Sequence, residues 1–107
     1  MAKALNFNNV NKKYWNVTLT DGTVLLVGTP TKAIFDRLIA IKDDLGNLDG
    51  EDSLGALYDV CVLVLSRNKT GKVITKEYLE EIFDIEDIVI LFNSYVGFVN
   101  EIRNQKN

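Results

Sequence analysis

Histidine is absent from this 107-residue chain. Its absence excludes Ser-His-Asp and Cys-His nucleophile systems as normally built, and every histidine metal site. Cysteine occurs once, as Cys61, so an internal disulfide cannot form and a disulfide scaffold is excluded. A chain without bridges suits a reducing cytoplasm, where thiols stay reduced. Proline also occurs once, as Pro30. Long apolar runs are missing. The longest, Val60 to Leu65, is six residues, against the ~20 that a transmembrane helix needs. Residues 1–13 mix Lys3, Lys12 and Lys13 with asparagines and hold no apolar stretch of the signal-peptide kind. A basic excess is missing too: 12 Lys and Arg face 15 Asp and Glu, net −3. A nucleic-acid binder draws most of its affinity from a basic field over phosphates. The expectation is a cytoplasmic protein with no membrane and no nucleic-acid partner.

What is present is ordinary globular chain, 47% hydrophobic and 25% charged. At this length one core can form and two cannot, so residues 1–107 are expected to make a single domain. The strand signals come first. Leu5 and Phe7 alternate with Asn6 and Asn8, a weak strand at about 4–8. Residues 13–28 read as a hairpin. Asp21-Gly22 suits a two-residue type I′ loop, in which both positions take positive φ. That turn pairs Leu19 with Val24, Val17 with Leu26 and Trp15 with Gly28 on one face, predicted to pack on helices. The other face pairs Thr18 with Leu25 and Asn16 with Val27.

Four helices are predicted after the hairpin, at about 30–45, 53–66, 76–83 and 85–103. Thr29 is a candidate N-cap with Pro30 at the first helical position. Ile34, Leu38, Ile41 and Leu45 then share one face, and Gly46 is a natural stop. Residues 46–52 read as an acidic loop. Asp52 or Ser53 is expected to cap the second helix, with Leu54, Leu57, Cys61 and Val64 inward. The run Val60–Leu65 is apolar all round, which fits a central buried helix or a buried strand; the periodicity upstream favours helix. Residues 66–73 form a polar turn around Gly71. Thr75 is the expected cap of the third helix, with Ile74 and Leu79 at staple positions. Asp84 begins the fourth, with Asp87 at N3 and negative charge in its first turn. Its inner face is Ile85, Ile88, Phe92, Tyr95, Val99 and Ile102, and residues 103–107 should fray. Strands first and helices second make the predicted class α+β.

Chemical candidates are few. With Gly71 at position 6 of a calcium loop, Ser66, Asn68, Thr70 and Glu77 fall at positions 1, 3, 5 and 12. Only Glu77 among them is charged, and Lys69 and Lys72 add positive charge, so a polar interhelical turn explains the segment better. Glu77, Glu80, Glu81, Asp84, Glu86 and Asp87 place six carboxylates in eleven residues. Such a cluster can do acid–base work or hold Mg²⁺; two helix N-termini and a solvated face account for it more simply. That face can still speed encounter with a basic partner. Cys61, inside an apolar run without a base nearby, reads as a buried thiol. Ser53, Ser66 and Ser94 have no histidine to activate them.

The fourth helix carries more apolar surface than one core requires. At about 100° per residue, its apolar positions from Phe98 and Leu91 round to Val89 cover about 180°, where a stripe of about 100° suffices. Leu91 and Phe98 sit on one edge, flanked by Asp87, Ser94 and Glu101. Ile90 lies in the polar sector beside Gly97. Either neighbours cover this helix, or Ile90, Leu91 and Phe98 form a partner-binding face, because surplus apolar area on a small domain marks an interface.

Three stretches carry a family resemblance: Gly28-Thr-Pro-Thr-Lys-Ala-Ile-Phe-Asp36, Ser66-Arg-Asn-Lys-Thr-Gly-Lys-Val-Ile-Thr75 and Ile82-Phe-Asp-Ile-Glu-Asp-Ile88. Together, over about residues 4–102, the chain resembles the tail assembly chaperones of long-tailed phages and prophages of Gram-positive bacteria. The resemblance implies a non-enzymatic protein that binds the tape measure protein, keeps its apolar helices soluble and helps recruit tail tube subunits. It also implies self-association and absence from the finished virion. Many such proteins also exist in a longer, frameshifted form. The family has no invariant catalytic motif, so the resemblance assigns no catalytic, metal or cofactor residue. The competing expectation is a structural tail or head–tail connector subunit retained in the particle. A small metal-dependent enzyme built on the acidic segment is the third.

Overall fold

A computed structural model of the protein describes residues 4–7, 11–44 and 51–104. Within them the chain forms a two-stranded antiparallel sheet, β1 (Trp15–Thr18) and β2 (Val24–Val27), followed by four helices. These are α1 (Lys32–Asp44), α2 (Glu51–Leu65), α3 (Lys76–Ile82) and α4 (Ile85–Arg103). The architecture is α+β, and each helix lies within a few residues of its predicted span. The strand expected at about 4–8 is not formed over Ala4–Phe7, whose side chains are exposed; residue 8 lies outside the described residues. Gly46, Leu45, the loop residues 46–50 and the tail residues 105–107 lie outside them as well.

The hairpin register differs from the predicted one by a single residue. Trp15 pairs with Val27, Val17 with Leu25 and Thr18 with Val24. The loop is three residues long, Thr20-Asp21-Gly22. The Leu19 amide donates to the Thr23 carbonyl at 2.8 Å, and the Gly22 amide to the Leu19 carbonyl at 2.9 Å. Among the described residues only Gly22 and Gly71 have positive φ, so Asp21 does not take the left-handed conformation that a type I′ loop demands. A type I turn closed by a left-handed glycine uses the same Asp-Gly pair and strains only the residue without a Cβ. Asp21 instead accepts hydrogen bonds from the Thr23 amide and the Tyr78 hydroxyl, which tie the turn to α3. Thr20 adds a bond from its hydroxyl to the Ile82 carbonyl at 2.8 Å. Because strand side chains alternate, the one-residue slip exchanges the faces of β2. Leu25 and Val27 are fully buried, whereas Val24 and Leu26, predicted to face inward, are exposed. Trp15, Val17 and Leu19 face the core as expected.

α2 is the hub of the fold. It packs against α1, α3, α4 and β2, which explains a run that is apolar all round. Leu57, Tyr58, Val60, Cys61, Val64 and Leu65 are buried, and Leu54 is partly so. Its start at Glu51 puts Asp52 and Ser53 inside the first turn rather than at the cap. The turn after α2 is pinned along β2: the Gly28 amide donates to the Arg67 carbonyl at 3.0 Å and the Lys69 amide to the Leu26 carbonyl at 2.7 Å. Asn68 organises this turn from inside. Its side-chain amide nitrogen donates to the carbonyls of Leu65 and Lys72, and its side-chain oxygen accepts from the Lys72 amide.

Two of the four predicted caps are seen. Thr75 accepts from the Tyr78 amide at 3.1 Å, with Ile74 and Leu79 both buried beside it. Asp84 and Asp87 form a reciprocal capping box at the start of α4. The cap of α1 is Thr31, not Thr29. The Thr31 side chain accepts from the Ile34 amide at 3.3 Å, and its carbonyl accepts from Phe35 at 2.8 Å. The Thr29 carbonyl is held by Arg67 Nε at 2.8 Å, which keeps the chain out of the helix until it has passed Pro30. Thr31→Ala should therefore cost about 0.5–2 kcal/mol. Thr29→Ala should stay within about 0.5 kcal/mol, and urea unfolding of the two variants checks the difference.

Candidate functional site

The three residues predicted to form a partner face do not lie together on the surface. Leu91 is only 6% exposed and belongs to the core. The fourth helix thus buries one more residue than a narrow stripe; it packs along α2, and its Tyr95 also meets Trp15 of β1. Phe98 is half-buried, its ring 5.9 Å from that of Tyr95, which in turn lies 5.3 Å from Trp15. Ile90 is exposed at 58%. Ile85, predicted inward, is exposed to the same extent; its place in the first turn carries it past the end of the core.

An apolar groove does exist, one turn along from Phe98. Its floor and walls are Pro30, two residues before α1, Phe35 from the first turn of α1, and Val99 and Ile102 from the end of α4, with a volume of about 290 Å³. Thr29, Lys32 and Arg103 complete its rim. The Arg103 guanidinium sits 5.1 Å from the centre of the Phe35 ring, a cation–π contact that holds the rim over an aromatic face. Lys32 is paired with Asp36 at 2.9 Å. The Tyr95 hydroxyl donates to the Gly28 carbonyl at 2.8 Å, joining the second strand's exit to α4. Burial raises the Tyr95 hydroxyl pKa, so it remains a neutral donor. The sequence held one signal of this groove: Phe35 is apolar yet falls off the Ile34, Leu38, Ile41 stripe of α1.

The chemical candidates stay apart. Ser66 is exposed, Asn68 is committed to the backbone of its own turn, and the Thr70 hydroxyl accepts from the Leu26 amide at 3.3 Å. No calcium-ligand set converges there. The acidic residues divide between the Asp84–Asp87 capping box and the exposed Glu77, Glu80, Glu81 and Glu86. Among the described residues no group of three or more acidic or thiol side chains is placed to hold a metal ion. Lys76 beside this segment is paired with Asp59 at 3.1 Å, and that bond raises the lysine's pKa. Cys61 is buried in α2, and burial pushes its thiol up to about 12, so it stays protonated at neutral pH and has no thiolate to offer. Among the described residues no helix is long and apolar enough to cross a membrane.

The geometry therefore offers an apolar groove with a cationic rim. It is suited to holding apolar side chains of another polypeptide. Compared with protein-family models, with curated proteins and with solved structures, the chain finds no match in any of the three.

Proposed function

We propose that the protein is a non-enzymatic tail assembly chaperone of a long-tailed phage or prophage of Gram-positive bacteria, acting in the host cytoplasm. Its partner on this reading is the tape measure protein, whose apolar helices it covers while tail tube subunits assemble. The resemblance of residues 28–36, 66–75 and 82–88 supplies the family. The observation that carries the reading is the groove between α1 and α4, where Pro30, Phe35, Val99 and Ile102 line a volume of about 290 Å³. Apolar side chains of an amphipathic helix entering this groove leave water, and each buried methylene contributes about 0.8 kcal/mol. Arg103 on the rim favours a segment carrying an acidic residue beside its apolar face.

Co-expression with a tape measure protein tests this. The wild-type chain should raise the soluble fraction of that partner and be recovered with it. Ile102→Asp and Phe35→Asp, each checked for native helix content by circular dichroism, should lower recovery by about tenfold or more, because a charge at the centre of an apolar contact is left unpaired. Unchanged partner solubility, or equal recovery with folded groove variants, would sink the reading. Stoichiometric recovery in purified virions would instead favour a structural tail subunit.

A further inference from the structure

A second site lies beside the exit of β2. Lys12, Lys13, Arg67 and Lys69, together with Tyr14, Gly28, Thr29 and Asn68, line a pocket of about 280 Å³. Four cations meet there in a chain whose net charge is −3, and no carboxylate lines the pocket. All four side chains are exposed. Ion pairs among the described residues join Lys32 to Asp36 and Lys76 to Asp59, so none of the four is neutralised by one. Like charges so placed repel one another at some cost to the fold, and an anion relieves that repulsion.

The frame beneath them is braced by hydrogen bonds. The turn carrying Arg67 and Lys69 is bonded to the backbone at Gly28 and Leu26, and Asn68 braces it from within. Arg67 Nε donates to the Thr29 carbonyl at 2.8 Å, so the guanidinium is oriented before any ligand arrives. Lys69 Nζ lies 5.2 Å from the centre of the Tyr14 ring. Because Lys69 occupies that ring, Tyr14 is not an open platform for stacking a nucleobase, the contact on which single-stranded nucleic-acid sites depend. The negative net charge also disfavours a long polyanion, whose field extends well beyond the pocket. A short run of carboxylates suits both conditions. It presents charge locally, and a carboxylate can meet the planar guanidinium through two parallel hydrogen bonds.

We propose that the pocket formed by Lys12, Lys13, Arg67 and Lys69 binds an acidic peptide segment of a partner protein. This site adjoins the α1–α4 groove at Thr29 but draws on its own four cations, none of which lines the groove. Carboxylates of the segment pair with Arg67 and Lys69 on the fixed turn, and with Lys12 and Lys13 on the approach to β1.

The test uses the whole chain and three labelled probes followed by fluorescence anisotropy: a hexaglutamate peptide, a hexaglutamine peptide and a single-stranded oligodeoxynucleotide. The expected result is saturable binding of hexaglutamate at low salt, weakening as salt rises because exposed charges are screened, with no binding of hexaglutamine. Lys12→Glu/Lys69→Glu should weaken hexaglutamate binding about tenfold or more. Arg67→Gln should weaken it with the other three cations intact, and Lys42→Glu, on the exposed side of α1 and outside both the pocket and the groove, should leave it unchanged. Three results overturn the proposal: no hexaglutamate binding, binding that the folded pocket variants leave unaffected, or tighter binding of the oligonucleotide through the same residues.

Discussion

Phe92→Ala should remove about 3–5 kcal/mol of folding stability, a large part of the ~5–15 kcal/mol typical of a whole domain. Phe92 is 1% exposed and faces the core from the middle of α4, where α4 packs on α2. The loss combines the transfer energy of the ring with the cavity it leaves between elements that cannot fully close on it. Ile90→Ala, two residues earlier on the same helix, should change stability by about 0.5 kcal/mol or less, since Ile90 is 58% exposed. Guanidinium unfolding of both variants, followed by circular dichroism, checks the contrast. Comparable losses from the two would mean that α4 is rotated from the orientation described.

Leu25→Ala and Leu26→Ala form the second pair, and their ratio reads the hairpin register directly. Leu25 is fully buried and Leu26 is 37% exposed. Leu25→Ala should cost about 2–5 kcal/mol and Leu26→Ala under ~1 kcal/mol. The two-residue loop that Asp21-Gly22 suggests would reverse that order, because a shift of one residue moves each side chain of β2 to the opposite face. A midpoint shift much larger for Leu26→Ala in urea would therefore refute the observed pairing.

The helices were legible because their signals are local and redundant. Thr75, Ile74 and Leu79 announced α3 as a cap and a staple within six residues, and Asp84 with Asp87 announced α4 in four. Each such motif satisfies backbone groups of its own turn, so distant contacts had little to alter. Thr29 and Thr31 show the limit of local reasoning. Both flank Pro30 and both suit a cap. The choice was made by Arg67, 38 residues away, which holds the Thr29 carbonyl.

The site was less legible. The angular spread of apolar residues on one helix points to Ile90, Leu91 and Phe98, and that spread does not say how many neighbours the helix has. Leu91 lies in the core, in a helix that packs along α2. The groove itself needs Pro30, just before α1, and Phe35 from its first turn beside Val99 and Ile102 from α4, a pairing some 70 residues apart in sequence. The basic pocket is split in the same way, between residues 12–13 and 67–69.

By itself the sequence determined the α+β class, the spans of the helices and the chemistry that a chain without histidine and with one cysteine cannot perform. It could do so because turn chemistry, apolar period and residue inventory are properties of short segments. Tertiary structure alone decided which face of β2 is buried, which threonine caps α1 and which side chains share a groove or a pocket. Those outcomes depend on bonds between segments far apart in the chain: Tyr78 to Asp21, Arg67 to Thr29 and Tyr95 to Gly28.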